Sequence, residues 1–578
     1  MRREERCLMS FGRTIHNALL VAACAATSFV AASPARATSP PLSGIVPETV
    51  AQASREGLFP LPERAEGLGT SVGQDTWRIP VILVSFSDSL LRYGAADFEK
   101  ALFDETHSTP TGSLYDYYRW VSGGRLTVLG RVVATVLLPE TRSHYGANSW
   151  GLNTVGTPQN SYGFAREAIR LCPEGVDWSE FDLDSDGFVD MLWVIHAGLG
   201  GEATSYDRDN LWSITSRMSI GWRSGTSYLT GDPIPGSTTQ FIRIDRFTIL
   251  PELSPFHRTE ISEIGVYCHE FGHALGLPDL WDTASGGSLN VGPGNWSVMS
   301  FGAWGTDGSS PEYPAHLGAW PLQFLGWDHT IRATRDATYM LEPLESQGAI
   351  LEWWFQGESN PEHFLIENRQ RLDFDRNLLA EGLLIYHVDE TVIGQRLRSN
   401  TINSGPTPGL QLVEADGRGD LIQGRNHGDT NDPFPGGMNR TFINDDTRPS
   451  ARTFAGAVTQ IAAYGIEQVG DNMRVRLQVQ APGWLPAEDY SGPDFRPLDT
   501  YGLARVSALD DHGTAHITES ELVAGIPQVM LRESDPGWTE PFQVSNSTGA
   551  ALGPTLAVLP GGDLAIVWSD YRFGHPQL

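Results

Sequence analysis

The stretch from Tyr267 to Asp279, Tyr-Cys-His-Glu-Phe-Gly-His-Ala-Leu-Gly-Leu-Pro-Asp, constrains this chain more than any other. It reads H-E-x-x-H-x-x-G-x-x-D. Residues four apart on an α-helix sit one turn apart and about 40° apart around the axis, so His269 and His273 would project from one face. Two imidazoles placed this way suit a tetrahedral zinc ion. Glu270 lies alongside, positioned to take a proton from a water that the metal acidifies. Gly276 can end the helix in a left-handed conformation, and the reversed chain can return Asp279 as a third ligand. Three protein ligands and an open fourth position describe a catalytic rather than a structural zinc site. The plain alternative is two ordinary core or surface histidines at a chance spacing. Against it, Ile261, Ile264, Gly265, Cys268, Phe271, Gly272 and Leu275 follow the spacing of a buried helical stripe. The pattern predicts a helix whose start Thr259 or Ser262 caps.

A second marker runs from Gly292 to Trp304, with Met299 at its centre. Glycines, proline and asparagine predict a tight turn, and a buried methionine there can form an apolar floor. Alone, this would be a loop around a buried Met. Met299 follows His273 by 26 residues (299 − 273), and the pair resembles the M6, immune-inhibitor-A-like family of metallopeptidases, of the metzincin type. The family patterns match at His269 to Thr283 and at Gly292 to Trp304, with Trp281 where the family usually has Tyr. The likeness continues in Ile79–Asp88, Gly112–Gly124, Val176–Asp190 and His196–Gly198. It extends further through Phe364–Gln370, Gly382–Glu390 and Leu412–Gly417, so it covers about residues 78 to 480.

The resemblance implies that His269, His273 and Asp279 bind zinc, that Glu270 is the general base and that Met299 is the Met-turn residue. Asp282, three residues after Asp279, competes as the third ligand. Some metzincins carry a tyrosine two residues after the methionine; Phe301 stands there, so no phenolic helper is assigned. The implied activity is hydrolysis of peptide bonds inside proteins. Thr239–Leu250 alternates apolar and polar residues in part, and is either an edge strand that pairs with extended substrate or an ordinary half-buried strand.

Asp182, Asp184, Asp186 and Asp190, with Gly187 between, carry the spacing of a calcium loop. The bidentate Glu at the twelfth position is missing, since Trp193 stands there. Structural calcium is therefore expected beside an alternative reading, an acidic turn capped by its own carboxylates. Asp429–Asp432 is a weaker calcium candidate, read as a surface turn.

Arg2, Arg3, Arg6 and Arg13 precede an apolar run at Ala18–Ala26, and Ala35-Arg-Ala37 supplies small residues for cleavage. This predicts a signal peptide over 1–37 and a secreted protein; the alternative is a disordered extension. Cys24 also fits lipoprotein processing, but the apolar run passes beyond it. Removing 1–37 deletes five Arg and two Glu, moving the net charge from −30 to −33 (−30 − 5 + 2). That acidity disfavours nucleic acid or anionic membrane as partners. No other segment reaches spanning length, and a monomer acting on protein or peptide substrates is expected. Cys172 and Cys268 remain; they either pair or, with Cys268 on the apolar stripe, stay as thiols.

The fold class expected is α+β: a metzincin-like catalytic domain, an all-β sandwich and a truncated propeller-like repeat tail. The plan is 1–37 signal peptide, 38–75 propeptide or linker, 76–330 catalytic domain, 331–480 β-sandwich, 481–498 linker and 499–578 incomplete repeats. In the tail, Ala508, Gly513, Ile517 and Pro527-Gln528 recur as Ala557, Gly562, Ile566 and Pro576-Gln577, each offset by 49. A period near fifty resembles propeller blades. Two blades cannot close a propeller, so a fragment with poor order after residue 485 is expected. A different class of function stays open: a secreted binding or adhesion protein whose zinc domain is vestigial. The intact Glu270 argues against it.

Overall fold

The computed structural model describes residues 37–55, 75–152, 158–204, 206–221, 226–285, 290–479, 507–510, 513–534, 537–559 and 563–572. The expected leader, apart from its last residue, and the linker 481–498 lie outside the described residues.

The first core is built on Asp75–Ser85, whose run Val81–Val84 is fully buried because both faces are covered. This strand lies parallel to Leu126–Leu137 on one side and to Leu192–His196 on the other. Leu192–His196 in turn lies parallel to Arg246–Pro251. Ile214–Arg217 then pairs antiparallel with Arg246–Pro251. The order ends with Ala37–Thr38, which pairs antiparallel with Ile214–Arg217.

Among the helices packed on this sheet, two bear on the site. Leu114–Val121 begins at Ser113, whose hydroxyl accepts from Asp116 N–H while the Asp116 carboxylate answers the Ser113 N–H. That reciprocal capping box explains why the helix starts there. The second helix, Gly265–Ala274, is buried along its whole length. Its Phe271 meets Trp77 and Tyr118 edge-to-face, with centroids 5.3 and 4.8 Å away. Such pairs add about 0.5–1.5 kcal/mol beyond the burial itself.

The segment expected as one strand over 239–250 divides at Asp245. Phe241–Ile244 lies in a three-stranded sheet between Phe188–Val189 and Tyr228–Pro233. Arg246–Pro251 enters the main sheet with partners on both sides. The reason is local: half-burial alternates up to Ile244, then becomes continuous after Arg246. Neither piece is an edge; the edges of the main sheet are Leu126–Leu137 and the short Ala37–Thr38, which covers Ile214–Arg217.

After residue 329, two sheets face each other. One runs in the order 330–332, 350–353, 362–369, 382–389, 410–412; the other in the order 337–341, 472–478, 462–469, 442–444. Phe364, Ile366, Leu383 and Ile385 meet Leu341, Met473, Val475 and Leu477 between them, as in a sandwich. Helix Glu390–Arg396 and short turns interrupt the all-β pattern. On the opposite face of the first sheet, Leu365, Leu384, Tyr386, Val388, Leu410 and Leu412 belong to the same core as the site helix. One sheet therefore serves two cores.

Arg369 also points to that opposite face and is fully buried. Its guanidinium donates to Glu345 at 3.1 Å, Glu367 at 3.0 Å, Asp375 at 2.9 Å and the Trp296 carbonyl at 2.9 Å. This network ties the sandwich to the turn before Met299.

The described parts of the tail form strands. Ser507–Leu509, Ala515–Val523, Ile526–Glu533 and Phe542–Gln543 form one sheet, and Ala551–Val558 with Leu564–Asp570 another. In these described parts the alternating apolar residues pair locally in hairpins. The sequence repeat is visible in register: Ala508 faces His516, and 49 residues on Ala557 faces Ala565. Cys172 and Cys268 are both free thiols. Among the described residues, no helix is long and apolar enough to cross a membrane.

Replacing Arg369 with Met leaves three buried carboxylates without their cation. The expected loss is about 3–5 kcal/mol in guanidinium unfolding; a loss below about 1 kcal/mol would mean that the network does not hold the two cores together.

Candidate metal and active site

The site helix begins at Gly265, after Ile264, and no side chain caps it. Thr259 and Ser262 do not play that part. Ile261 bridges to Leu253, and Ser262 N–H donates to the Glu252 carbonyl, so the residues before 264 continue sheet-like pairing. The helix ends at Leu275, and Gly276 takes φ of +92°. Its N–H bonds the His273 carbonyl at 2.9 Å, and Leu277 N–H reaches back to Gly272 at 3.1 Å. That left-handed turn reverses the chain and brings Asp279 back beneath the histidines.

Three donor atoms converge there. His269 Nε2 lies 3.0 Å from His273 Nε2 and 3.1 Å from Asp279 Oδ1, and His273 Nε2 lies 3.5 Å from the same oxygen. Tetrahedral bonds of about 2.0–2.1 Å to zinc require donors roughly 3.3–3.4 Å apart. The triangle fits that ion. The other ring nitrogens support the same assignment: His269 Nδ1 donates to the Val298 carbonyl at 2.7 Å, and His273 Nδ1 to the Leu277 carbonyl at 2.8 Å. A carbonyl only accepts, so each Nδ1 carries the proton and each Nε2 keeps its lone pair for a metal.

All three groups are fully buried. Burial pushes the Asp279 carboxyl up, but His273 and His269 overcome this and hold it below the usual carboxylate range. Burial pushes His269 down, yet the hydrogen bond and charge of Asp279 leave it above its ordinary value. Asp282 is turned away: its Oδ1 accepts from Ala284 and Ser285 N–H at 3.1 Å each, closing its own loop. Of the two candidate carboxylates, Asp279 is the one brought to the histidines.

Glu270 sits one residue from the pair, also fully buried. Ser39 Oγ donates to its Oε1 and Thr215 Oγ1 to its Oε2, both at 2.8 Å. Thr215 Oγ1 also lies 3.0 Å from Thr248 Oγ1 on the neighbouring strand. Burial raises the Glu270 carboxyl above its ordinary value, and the two imidazoles and two hydroxyls oppose this only in part. A raised carboxyl pKa suits a group that takes and returns a proton near neutrality.

Met299 lies directly against the site helix. A Cβ at position 272 would collide with Met299 Sδ, so glycine there allows the thioether to close against the helix that carries the histidines. Leu280 N–H donates to the Met299 carbonyl at 2.8 Å, joining the Asp279 loop to the Met299 turn. Phe301 stacks on His427 with centroids 3.9 Å apart and carries no hydroxyl.

The chain's own residues 39–42 lie beside Glu270. Ser39 N–H donates to the Ser213 carbonyl at 3.4 Å, and Leu42 N–H to the Glu202 carbonyl at 2.9 Å. Trp212 Nε1 donates to the Ser39 carbonyl at 3.0 Å, and Trp304 Nε1 to the Pro40 carbonyl at 3.2 Å.

Ser39, Thr215 and Asn400, the last bound to Asp279, were not legible as site residues. They join the site across 231, 55 and 121 positions of chain, and no local spacing marks them. The expected calcium residues separate into two sets. Carboxylate oxygens of Asp182, Asp184 and Asp186 lie within 4.8 Å of one another, whereas Asp190 stands outside that group. Asp190 instead accepts the Leu183 N–H at 3.2 Å. Asp429 clusters with Asp416 and Asp420.

A buried histidine pair with a returning aspartate and an adjacent glutamate is a donor set suited to metal-dependent hydrolysis. Comparison with known proteins is narrower. Residues 87–328 match the catalytic domain of the immune inhibitor A peptidase M6 family. The chain is 29% identical over 304 residues to the pre-pro-metalloprotease PrtV of Vibrio cholerae, covering 46% of this chain and 31% of that protein. It is 31% identical over 231 residues to immune inhibitor A of Bacillus thuringiensis subsp. alesti, covering 36% of this chain and 31% of that one. Residues 87–328 are thus similar to the catalytic domain of the M6 metallopeptidases. The match spans under a third of the length of either relative.

Proposed function

We propose that the protein is a secreted zinc endopeptidase of metzincin type. The convergence of His269 Nε2, His273 Nε2 and Asp279 Oδ1 within 3.5 Å, with Glu270 alongside, carries this reading. Zinc bound there supplies Lewis acidity, which acidifies a water and polarises a peptide carbonyl. Glu270 accepts the proton of the attacking water and passes it to the leaving amine. Thr215 holds the carboxylate in place for both transfers. Strand Ile214–Arg217, which becomes the edge of the main sheet once Ala37–Thr38 is released, binds extended substrate by main-chain pairing.

Residues 38–55 form a latency segment in this reading. They already occupy the edge of that strand, and Ser39 caps the general base. Val50 and Ala51 are buried, so the segment is anchored beyond Ser39. The Asp182–Asp186 loop binds a structural calcium, and the 49-residue tail repeat is propeller-like; a leader over 1–37 directs secretion. The vestigial, adhesive alternative predicts a dispensable Glu270.

With zinc and calcium supplied, Glu270→Ala is expected to lower cleavage of an unstructured protein about 10²–10⁴-fold while zinc content stays at the wild-type level. Wild-type protein that cleaves nothing after the latency segment is released, or a variant as active as wild type, would overturn the peptidase reading.

Latency is tested by placing a specific protease site within 56–74 and cutting after folding. Release of residues 38–55 should raise kcat/KM, and Ser39→Ala should raise it less. Equal activity of cut and uncut protein excludes latency.

Burial, and then Asp184 and Asp182, push the Asp190 carboxyl up to about 7. A folded pKa above the unfolded value means that the folded state binds the extra proton between 3.8 and about 7. This residue's contribution to stability is therefore present at low pH and is lost as pH rises through that window. Calcium should restore Tm above the window, by compensating the loop's charge, and not below it. Asp184→Asn with Asp186→Asn should abolish the calcium response; an unchanged response rules out this loop as the calcium site.

A further inference from the structure

The Asp279 carboxylate is held by a part of the chain that lies beyond the family match at 87–328. Between strands Gly382–Asp389 and Leu410–Leu412, the chain leaves its sheet as helix Glu390–Arg396 and the turn Leu397–Ser399. Asn400 closes that turn with φ of +47°, a left-handed conformation that asparagine tolerates better than most residues. Its side chain is fully buried. Oδ1 accepts the Asp279 N–H at 2.7 Å, and Nδ2 donates to Asp279 Oδ2. A backbone N–H can only donate and a carboxylate can only accept, so the amide orientation is determined by its partners. The Asn400 carbonyl also accepts from Thr283 Oγ1 at 2.6 Å.

One side chain thus grips both the backbone and the carboxylate of the same residue. With Oδ2 engaged, Oδ1 is the oxygen left facing His269 and His273, and Trp281 Nε1 steadies it at 2.9 Å. Asn403 binds the same loop differently. Its Nδ2 donates to the Leu280 carbonyl at 2.7 Å and its Oδ1 accepts from Leu410 N–H at 2.9 Å. It is bonded to the loop without touching the carboxylate.

We propose that Asn400 is a positioning residue for the third metal ligand, so that the β-rich region sets the zinc affinity of the catalytic segment. The inference rests on Asp279 being that ligand. The physical basis is orientation. A carboxylate held at one oxygen and at its own backbone presents the other oxygen without losing rotational freedom on binding, and outer partners of this kind alter metal affinity about 10–100-fold.

The test measures the zinc dissociation constant of the full chain by competition with a chromophoric chelator, with kcat/KM alongside. Asn400→Ala is expected to weaken zinc binding about 10–100-fold. Asn400→Asp keeps the shape but sets a carboxylate oxygen against Asp279 Oδ2; it should weaken binding at least as much, and it covers the case in which the alanine variant does not fold. Asn403→Ala, which loosens the loop alone, should stay within about 3-fold of wild type. Asn400 variants that bind zinc like wild type, or an Asn403 variant that loses as much, overturn the proposal. Asp279→Ala separates the two levels. If it leaves zinc affinity unchanged, the ligand assignment fails; if it alone weakens binding, only the role of Asn400 fails.

Discussion

Two imidazoles and a carboxylate held together out of water are the constraint on which the rest of this structure depends. Each group is fully buried, and a buried charge is tolerated only when its partners are fixed. The fold meets this requirement with atoms from several places. The Val298 and Leu277 carbonyls orient the rings, Trp281 and Asn400 hold the carboxylate, and Met299 packs against the helix that carries the histidines. Displacing any of these loops would misalign the donor atoms.

The same demand explains why the sandwich is not an independent appendage. The sheet from Thr330 to Leu412 places one face in its own core and the other in the core of the site helix. Arg369 crosses to the carbonyl of Trp296, three residues before Met299, and Asn400 crosses to Asp279. Rigidity at the site thus comes from packing on both sides. Glu270 follows similar logic, with one hydroxyl from strand Ile214–Arg217 and one from the segment beside it fixing its two oxygens.

Much of the helix and its turn was legible in order along the chain. His269 and His273 share a face because four residues make about one turn, and Gly276 reverses the chain as a left-handed glycine does. The repeat of 49 residues likewise reappears as identical hairpin register. Other expectations yielded to tertiary contacts. Thr259 and Ser262 look like caps, but pairing with Leu253 and Glu252 keeps their neighbours extended. Residues 239–250 look like one strand, but a change from half to full burial at Asp245 assigns the pieces to separate sheets.

By itself, the sequence determined the donor types, their spacing on the helix and the turn that returns an aspartate. These depend on helical pitch and on glycine's freedom at positive φ, which are local properties. Only the tertiary structure decided that Asp279 rather than Asp282 meets the histidines, and that Ile214–Arg217 pairs with Ala37–Thr38 beside Glu270. It also brought Ser39, Thr215 and Asn400 to the site. Those outcomes depend on which distant surfaces pack together, and burial energy summed over two cores selects them without leaving a mark in any short window of sequence.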